Sequence, residues 1–487
     1  MEIVDCDEAL SFSTYETDIP FSFCPLETIY IGRNINFSES YSPFYGVETL
    51  SSLTIGKNVS FIDDTTFSGC NGLTSIIVDK NNPVYDSRDN CNAIIETASN
   101  TLIFRCSTTV VPHDVTSIGR TVMVYMVAEN SLNRNITADI KEMLTGMNNN
   151  ILHTTDRLVI YLDDVLLPRI YVLDQTTKAT SLSELNPVMT YDEDVNSSSA
   201  TQLVAFIDYT KTHYPADSYG LVMWSHATGW LPSTYSGDKT SDAPSRRKSF
   251  GVDNGRNAND NIGHQMNIDD MAAALEGEDF DFMFFDASLM QNIEVAYELR
   301  HATKYLIASP AEIPSPGANY ETLVKAMFRK DDYVNKIMEA YYREYLEGPY
   351  GVVISAVNTS ALDDFAAYMQ PIVHAHQSEM LALNTSSLQN YLWYGGWTTG
   401  YPDFLDMQGI MHEVLSEGEY ANWKVEADKV FSCMHTAKWY SAYPRKRIDI
   451  DDAQCCGVSM FIPFEKYAST SFNTDYYTTS WAKAVWQ

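Results

Sequence analysis

Two dense apolar runs of this 487-residue chain end in side chains suited to nucleophilic chemistry. Tyr219–Ser225 (YGLVMWS) leads straight into His226, followed by Ala227, Thr228 and Gly229. Phe280–Asp286 (FDFMFFD) closes on the Asp286 carboxylate and continues into Ala287 and Ser288. If the two runs are neighbouring buried strands, imidazole and hydroxyl meet at the carboxyl edge of a sheet, where open α/β sheets hold their ligands. A base beside a hydroxyl is the arrangement that activates a nucleophile. A helix opening directly after Ser288 would aim free N–H groups at an oxyanion. Spacing alone leaves plainer readings open: a strand-end histidine at 226, an N-cap at Ser288, and a helix-entry carboxylate at Asp286.

The elements that would position these residues are legible on both sides of them. Thr121–Ala128, Arg157–Leu162 and Lys304–Ser309 are further short apolar runs, as buried parallel strands are. Between them, Ser198–Tyr214 and Leu289–Arg300 carry helical periodicity. Strands alternating with helices predict an α/β sheet covered on both faces. Farther on, Asp331–Leu346, Ala361–Leu383 and Gly418–Lys438 read as helices, and Val352–Val357 and Gly457–Phe464 as strands. Residues 1–119 are different. Leu26/Leu50/Leu73, Ile29/Leu53/Ile76 and Ile31/Ile55/Val78 recur 24 and then 23 residues apart. That period is in the leucine-rich-repeat range, and units too small to bury their own apolar face must stack into a solenoid.

Composition narrows the function. Sixty-four acidic against 32 basic residues give a net charge of −32, which disfavours phosphate backbones and anionic lipid and favours cationic ligands. Neither a nucleic-acid partner nor a membrane span is expected, because the longest apolar runs are far short of the roughly 20 residues a bilayer needs. The opening MEIVDCDEAL has no basic or apolar leader character. Eight cysteines without a CxxC pair argue against a zinc ribbon, and no G-x-S-x-G elbow, Walker A lysine or H-E-x-x-H motif is present. The acidic cluster Asp449, Asp451, Asp452 and the loop Asp253–Asn261 could hold calcium, although neither has EF-hand spacing and a solvated acidic turn is the favoured reading of each. No metal is required by the chemistry.

Four segments in order resemble the clostripain family of cysteine peptidases, relatives of caspases and gingipains: Arg120–Met143, Leu221–Trp230 (LVMWSHATGW), Phe282–Arg300 (FMFFDASLMQNIEVAYELR) and Cys455–Phe464. The repeat wording, with F-S-G-C at Phe67–Cys70, resembles BspA-type bacterial surface proteins. Together these imply a leucine-rich module over 1–119 and, over 120–487, a caspase-like, mostly parallel sheet flanked by helices. The resemblance implies cleavage after Arg or Lys, with His226 as general base and Asp286 at the floor of the pocket for the cationic P1 side chain. Glu312 is a second acid that could border that pocket. The N–H groups of Ala227 and Ser288 would hold the oxyanion. It also implies self-cleavage between the two motifs, where Arg246, Arg247 and Lys248 stand in a row and otherwise read as a solvated loop tip.

Two departures qualify the resemblance. The family has cysteine where this chain has Ser288, and a hydroxyl is a far weaker nucleophile than a thiolate. An engineered, inactivating Cys-to-Ser substitution is the reading adopted, beside a natural pseudo-enzyme and a true serine peptidase. Ala227 stands where a glycine usually follows the histidine. Protein or peptide substrates with Arg or Lys at P1, a host or surface ligand for the repeats, and a secreted or cell-surface location complete the expectation. The alternative is a non-catalytic surface-binding or adhesion protein on a peptidase fold. Trp393 and Trp397 read as packing or outer-subsite residues.

Overall fold

The computed structural model describes residues 1–487 except 13–19, 22–23, 38–41, 63–65, 68–69, 71, 107, 110–111, 113–115, 118, 149–154, 232–248, 256–263, 315, 330–331, 392–401 and 442–445. Arg246–Lys248, Trp393 and Trp397 therefore lie outside the described residues, as does most of the Asp253–Asn261 loop.

A nine-stranded sheet organises the larger part of the chain. Its strands are β1 (Arg120–Val127), β2 (Arg157–Asp163), β3 (Arg169–Leu173), β4 (Met189–Thr190), β5 (Ser218–Trp224), β6 (Phe282–Asp286), β7 (Tyr305–Ala308), β8 (Val353–Asn358) and β9 (Phe431–His435), in the spatial order β4-β3-β2-β1-β5-β6-β7-β8-β9. The central five strands run parallel and the four outer pairings are antiparallel. The sheet is thus mixed rather than mostly parallel. The link from β2 to β3 is too short for a crossover, so the chain turns back on itself there.

Each central strand buries both faces because its residues alternate between two apolar layers. Val122, Val124 and Met126 of β1 pack with α1 (Ile136–Asn148), α3 (Tyr320–Met327) and α4 (Tyr333–Tyr345). Met123, Tyr125 and Val127 face the layer of α2 (Ala200–His213), α5 (Leu362–Ala375) and α6 (Glu417–Val430). Two expectations need correction. The helix read as Gly418–Lys438 stops at Val430, and Phe431–His435 becomes the edge strand β9, where Phe431 pairs with Val357. Pairing with β8 overrides the helical pattern. The segment Gly457–Phe464 contributes only the two-residue strand Ser459–Met460.

Arg120 fastens the start of the sheet. Its guanidinium is buried and donates to Asp281 Oδ2 at 2.7 Å, to the carbonyls of Met327 and Arg329 at 2.6 and 2.8 Å, and to Ser218 Oγ at 3.0 Å. Arg120→Ala should lower unfolding free energy by about 3 kcal/mol, since it orphans several buried acceptors at once. A urea titration showing a loss below roughly 1 kcal/mol would contradict this role.

In the N-terminal part, Glu2–Ile3, Thr28–Ile31, Ser52–Ile55 and Ser75–Val78 form a four-stranded parallel sheet. Ile29 pairs with Leu53 and Leu53 with Ile76, the register offsets that the sequence repeat carries. Ile29, Ile31, Leu53, Ile55, Ile76 and Val78 are buried together, and Phe44 stacks on Phe67 behind them at 5.8 Å.

Candidate functional site

The parallel register pairs Trp224 of β5 with Asp286 of β6. His226 and Ser288 each stand two residues beyond those partners, so neighbouring strands carry both to the carboxyl edge of the sheet. His226 is solvent-exposed, yet enough protein surrounds it that desolvation lowers its pKa below the ordinary imidazole value. Desolvation thus favours the neutral imidazole. Its Nε2 lies 2.8 Å from Ser131 Oγ, which belongs to the short helical turn after β1. The hydroxyl of half-buried Ser288 accepts from the N–H of Ile313 at 3.0 Å. The hydrogen bonds of the two residues thus go elsewhere than to each other.

The turn after β6 departs from expectation. The helix anticipated directly behind Ser288 begins at Ile293, with Asn292 before it. Between them Leu289 holds φ +65, a left-handed conformation unfavourable to a side chain. Donation from Leu289 N–H to the Ala311 carbonyl at 3.0 Å and from Gln291 N–H to that of Ser309 at 3.1 Å keeps the turn in place. The histidine loop docks on this turn through Gly229. At φ +65, a Cβ there would sit 2.3 Å from Asn292 Oδ1 and 2.5 Å from the Leu289 carbonyl. Asn292 Oδ1 instead accepts from Trp230 N–H at 3.2 Å, and its Nδ2 donates to Ser459 Oγ at 2.7 Å. Among the described residues, the amide N–H groups of Ala227 and Ser288 meet no protein acceptor. Ala227 bridges Phe250, and the His226 carbonyl accepts from Gly251 N–H at 2.9 Å.

Beneath the strand ends lies an acidic well. Asp286 is buried and accepts from the Tyr320 hydroxyl at 3.0 Å and the Ala318 N–H at 3.3 Å. Burial pushes its pKa up to about 6 despite those donors, and the Glu142 charge adds to the rise. Asp139, on α1, accepts from Trp224 Nε1 at 2.9 Å, and burial with the charge of Asp286 raises it to about 8. Glu142 accepts from Tyr320 N–H at 2.9 Å. Glu312 is half-buried, next to the Ile313 amide that reaches Ser288. The well thus gathers Asp286, Asp139 and Glu142, of which sequence reasoning found only the first.

A raised carboxyl pKa has a definite sign. The folded chain keeps the Asp139 proton up to about pH 8, whereas the unfolded chain releases it near 3.8. Stability is therefore lost as pH rises from roughly 4 to 8. Asp139→Asn keeps an acceptor for Trp224 and should flatten that decline. Its Tm should exceed the parent's at pH 8 and match it at pH 4.5; equal Tm values at both pH values would refute the raised pKa.

Of the earlier calcium candidates, Asp449 pairs with Lys438 at 2.6 Å, Asp452 with His435 at 3.4 Å, and Asp451 caps the turn at Ala453 at 2.9 Å. Asp253 accepts from Ser197 and Gly255 N–H groups at 2.8 and 2.9 Å.

Comparison with known proteins matches residues 124–487 to the clostripain family of peptidases, designated C11. Clostripain of Hathewaya histolytica is 29% identical over 224 residues, spanning 42% of this chain and 41% of that protein's length. An inactive zymogen C11 protease from Parabacteroides distasonis is 30% identical, superposes with a TM-score of 0.64 and is covered completely by 78% of this chain. A secreted C11 cysteine protease from Bacteroides thetaiotaomicron, solved with an irreversible peptide inhibitor, is 28% identical with a TM-score of 0.62, covering 76% of this chain and all of its own. Among the described residues no helix is long and apolar enough to cross a membrane.

Proposed function

This chain belongs to the clostripain family, and from that premise we propose that it is built as an endopeptidase cleaving after arginine or lysine. The observation that carries the reading is the pair of adjoining strand ends, His226 beside position 288, above the buried carboxylate of Asp286. With a thiol at 288, the thiolate attacks the scissile carbonyl and a C–S bond forms as the carbonyl becomes an oxyanion. The N–H groups of residues 227 and 288, which meet no acceptor among the described residues, would serve that charge. His226, carrying the thiol proton, gives it to the departing amine; water then attacks the acyl-enzyme and regenerates the thiol. Asp286 takes the P1 guanidinium or ammonium, with Glu312 bordering the entrance, and Arg246, Arg247 and Lys248 are the self-cleavage candidates.

Ser288 in this reading is an inactivating replacement of the family's cysteine. The Ser288–Ile313 and His226–Ser131 hydrogen bonds support it, because neither readies the hydroxyl for attack. Residues 1–119 form a leucine-rich module that binds a host or surface ligand, and 120–487 the peptidase unit. A secreted or cell-surface location agrees with the secreted relative. The test uses the chain as it stands: anisotropy should show a fluorescent peptide with P1 Arg or Lys binding at least about tenfold more tightly than its P1 Leu counterpart. Equal affinity would defeat the specificity assignment.

A further inference from the structure

Two of the eight free cysteines face each other outside the site just described. Cys433 is half-buried in the edge strand β9, and Cys455 is buried in the segment that leads to Ser459–Met460. Their sulfur atoms lie 4.0 Å apart. To bond they must approach by about 2 Å, a displacement within reach of χ1 rotation. His435 and Asp452, on the same two segments, pair at 3.4 Å, so the chain is already drawn together beside the sulfurs.

The surroundings suit a bond between these two. At Gly457, φ +74, an added Cβ would sit 2.5 Å from Cys433 Sγ, so a side chain there would strike the sulfur. Cys455 Sγ also lies 3.2 Å from the Tyr391 hydroxyl, which donates its own proton to Asp406 at 2.8 Å. Loss of the Cys455 proton therefore orphans neither Tyr391 nor Asp406. Cys456 is engaged elsewhere: its thiol donates to Asp406 Oδ1 at 3.2 Å and its N–H to the same oxygen at 3.1 Å. A bond between the neighbours Cys455 and Cys456 is disfavoured, because adjacent Cα atoms are closer than a relaxed disulfide allows. We propose that Cys433 and Cys455 are an oxidative modification site, a dithiol that a low-molecular-weight disulfide converts to a Cys433–Cys455 disulfide. The Cys433 thiolate, the more accessible, attacks one sulfur of the small disulfide, whose S–S bond breaks and releases one thiol. The Cys455 thiolate then attacks the Cys433 sulfur of the mixed disulfide and expels the second. The protein gives up two electrons and both thiol protons, and one small disulfide becomes two thiols.

The bond would fasten β9 to a segment that supports the nucleophile turn. Ser459 N–H donates to the Gln291 carbonyl at 3.0 Å, its Oγ accepts from Asn292 Nδ2 at 2.7 Å, and Phe461 N–H donates to Glu294 Oε1 at 2.8 Å. The stretch begun at Cys455 thus holds the residues that follow Ser288. A cross-link from 433 to 455 removes freedom from the unfolded chain without touching His226 or Ser288. The hydrogen bond with Cys455, burial and the Asp406 charge raise the Cys433 pKa, so exchange is slow near neutral pH and quickens as pH rises.

Oxidation is read on the full chain with Ser288 in place, so its outcome is independent of peptide cleavage. Reduced protein is incubated with oxidised glutathione at about pH 8, and its thiols are counted after denaturation. Two of the eight thiols should disappear, and tandem mass spectrometry should find Cys433 joined to Cys455. Tm should rise by about 5 °C and fall back when dithiothreitol is added. Cys433→Ser and Cys455→Ser should each abolish the cross-link and the rise, whereas Cys456→Ser should keep both. The parent's thiol count and cross-linked peptide carry the test if a variant does not fold. Retention of all eight thiols, glutathione adducts without a cross-link, or a linkage through Cys456 overturns the site.

Discussion

Ser288→Cys should raise the peptidase activity of this chain steeply. For peptides with Arg or Lys at P1, kcat/KM should rise by at least about 10³-fold, the scale on which loss of a nucleophile is felt. A thiol is a few per cent ionised at neutral pH and intrinsically nucleophilic, whereas the Ser288 hydroxyl needs a base positioned on it. His226 Nε2 faces Ser131 instead. A neutral thiol is also a weaker acceptor for the Ile313 N–H than Ser288 Oγ, so that amide ties the side chain down less. On a denaturing gel the cysteine form should yield two fragments, cut near Arg246–Lys248. Adding His226→Ala should abolish both activities. An inert, full-length cysteine form that is folded and tried with calcium would leave a binding protein on a peptidase fold. Fluorophosphonate labelling of Ser288 in the present chain would instead reveal a serine peptidase.

The strand ends that carry this prediction were readable because both neighbours on the sheet are buried on two faces. FDFMFFD and YGLVMWS have no polar alternation to lose, and their lengths fit strands rather than helices. The spacing of Leu26, Leu50 and Leu73 was equally plain, since side chains one repeat apart meet in register. Edge strands were harder. Phe431–His435 earns its conformation from Val353–Asn358 alone, a partner more than 70 residues away, and its own pattern continues a helix. The turn at Ser288–Asn292 was misread for a related reason. Helical spacing among Ile293, Val295 and Ala296 is real, but the Ala311 and Ser309 carbonyls hold the preceding residues in a turn. Asp139 and Glu142 left no local signal, because only the folded chain brings them near Asp286. The pairing of Ser131 with His226 was hidden in the same way.

The second large effect concerns charge recognition. In the cysteine form, Asp286→Asn should lower kcat/KM for P1 Arg and Lys by about 10²–10³-fold, because a buried, hydrogen-bonded charge pair is worth about 2–5 kcal/mol. Substrates with a neutral P1 side chain should change little, so the preference collapses rather than the catalysis. At Gly317, φ +71, an added Cβ would sit 3.1 Å from Asp286 Oδ2, so a side chain there would crowd the carboxylate. A P1 cation must meet an ionised Asp286, and in the free enzyme that group titrates at about 6 because burial penalises its charge. Hence kcat/KM for cationic substrates should climb as pH passes through about 6. In Asp286→Asn that limb should vanish, leaving the limb of His226, whose pKa lies below the ordinary imidazole value. The pH profile separates recognition from mere support of the fold, which a loss of Tm would reveal. Equal loss on all substrates would make Asp286 a structural acid, and an unchanged Arg/Lys preference would move the pocket floor to another carboxylate, with Glu312 the next to replace.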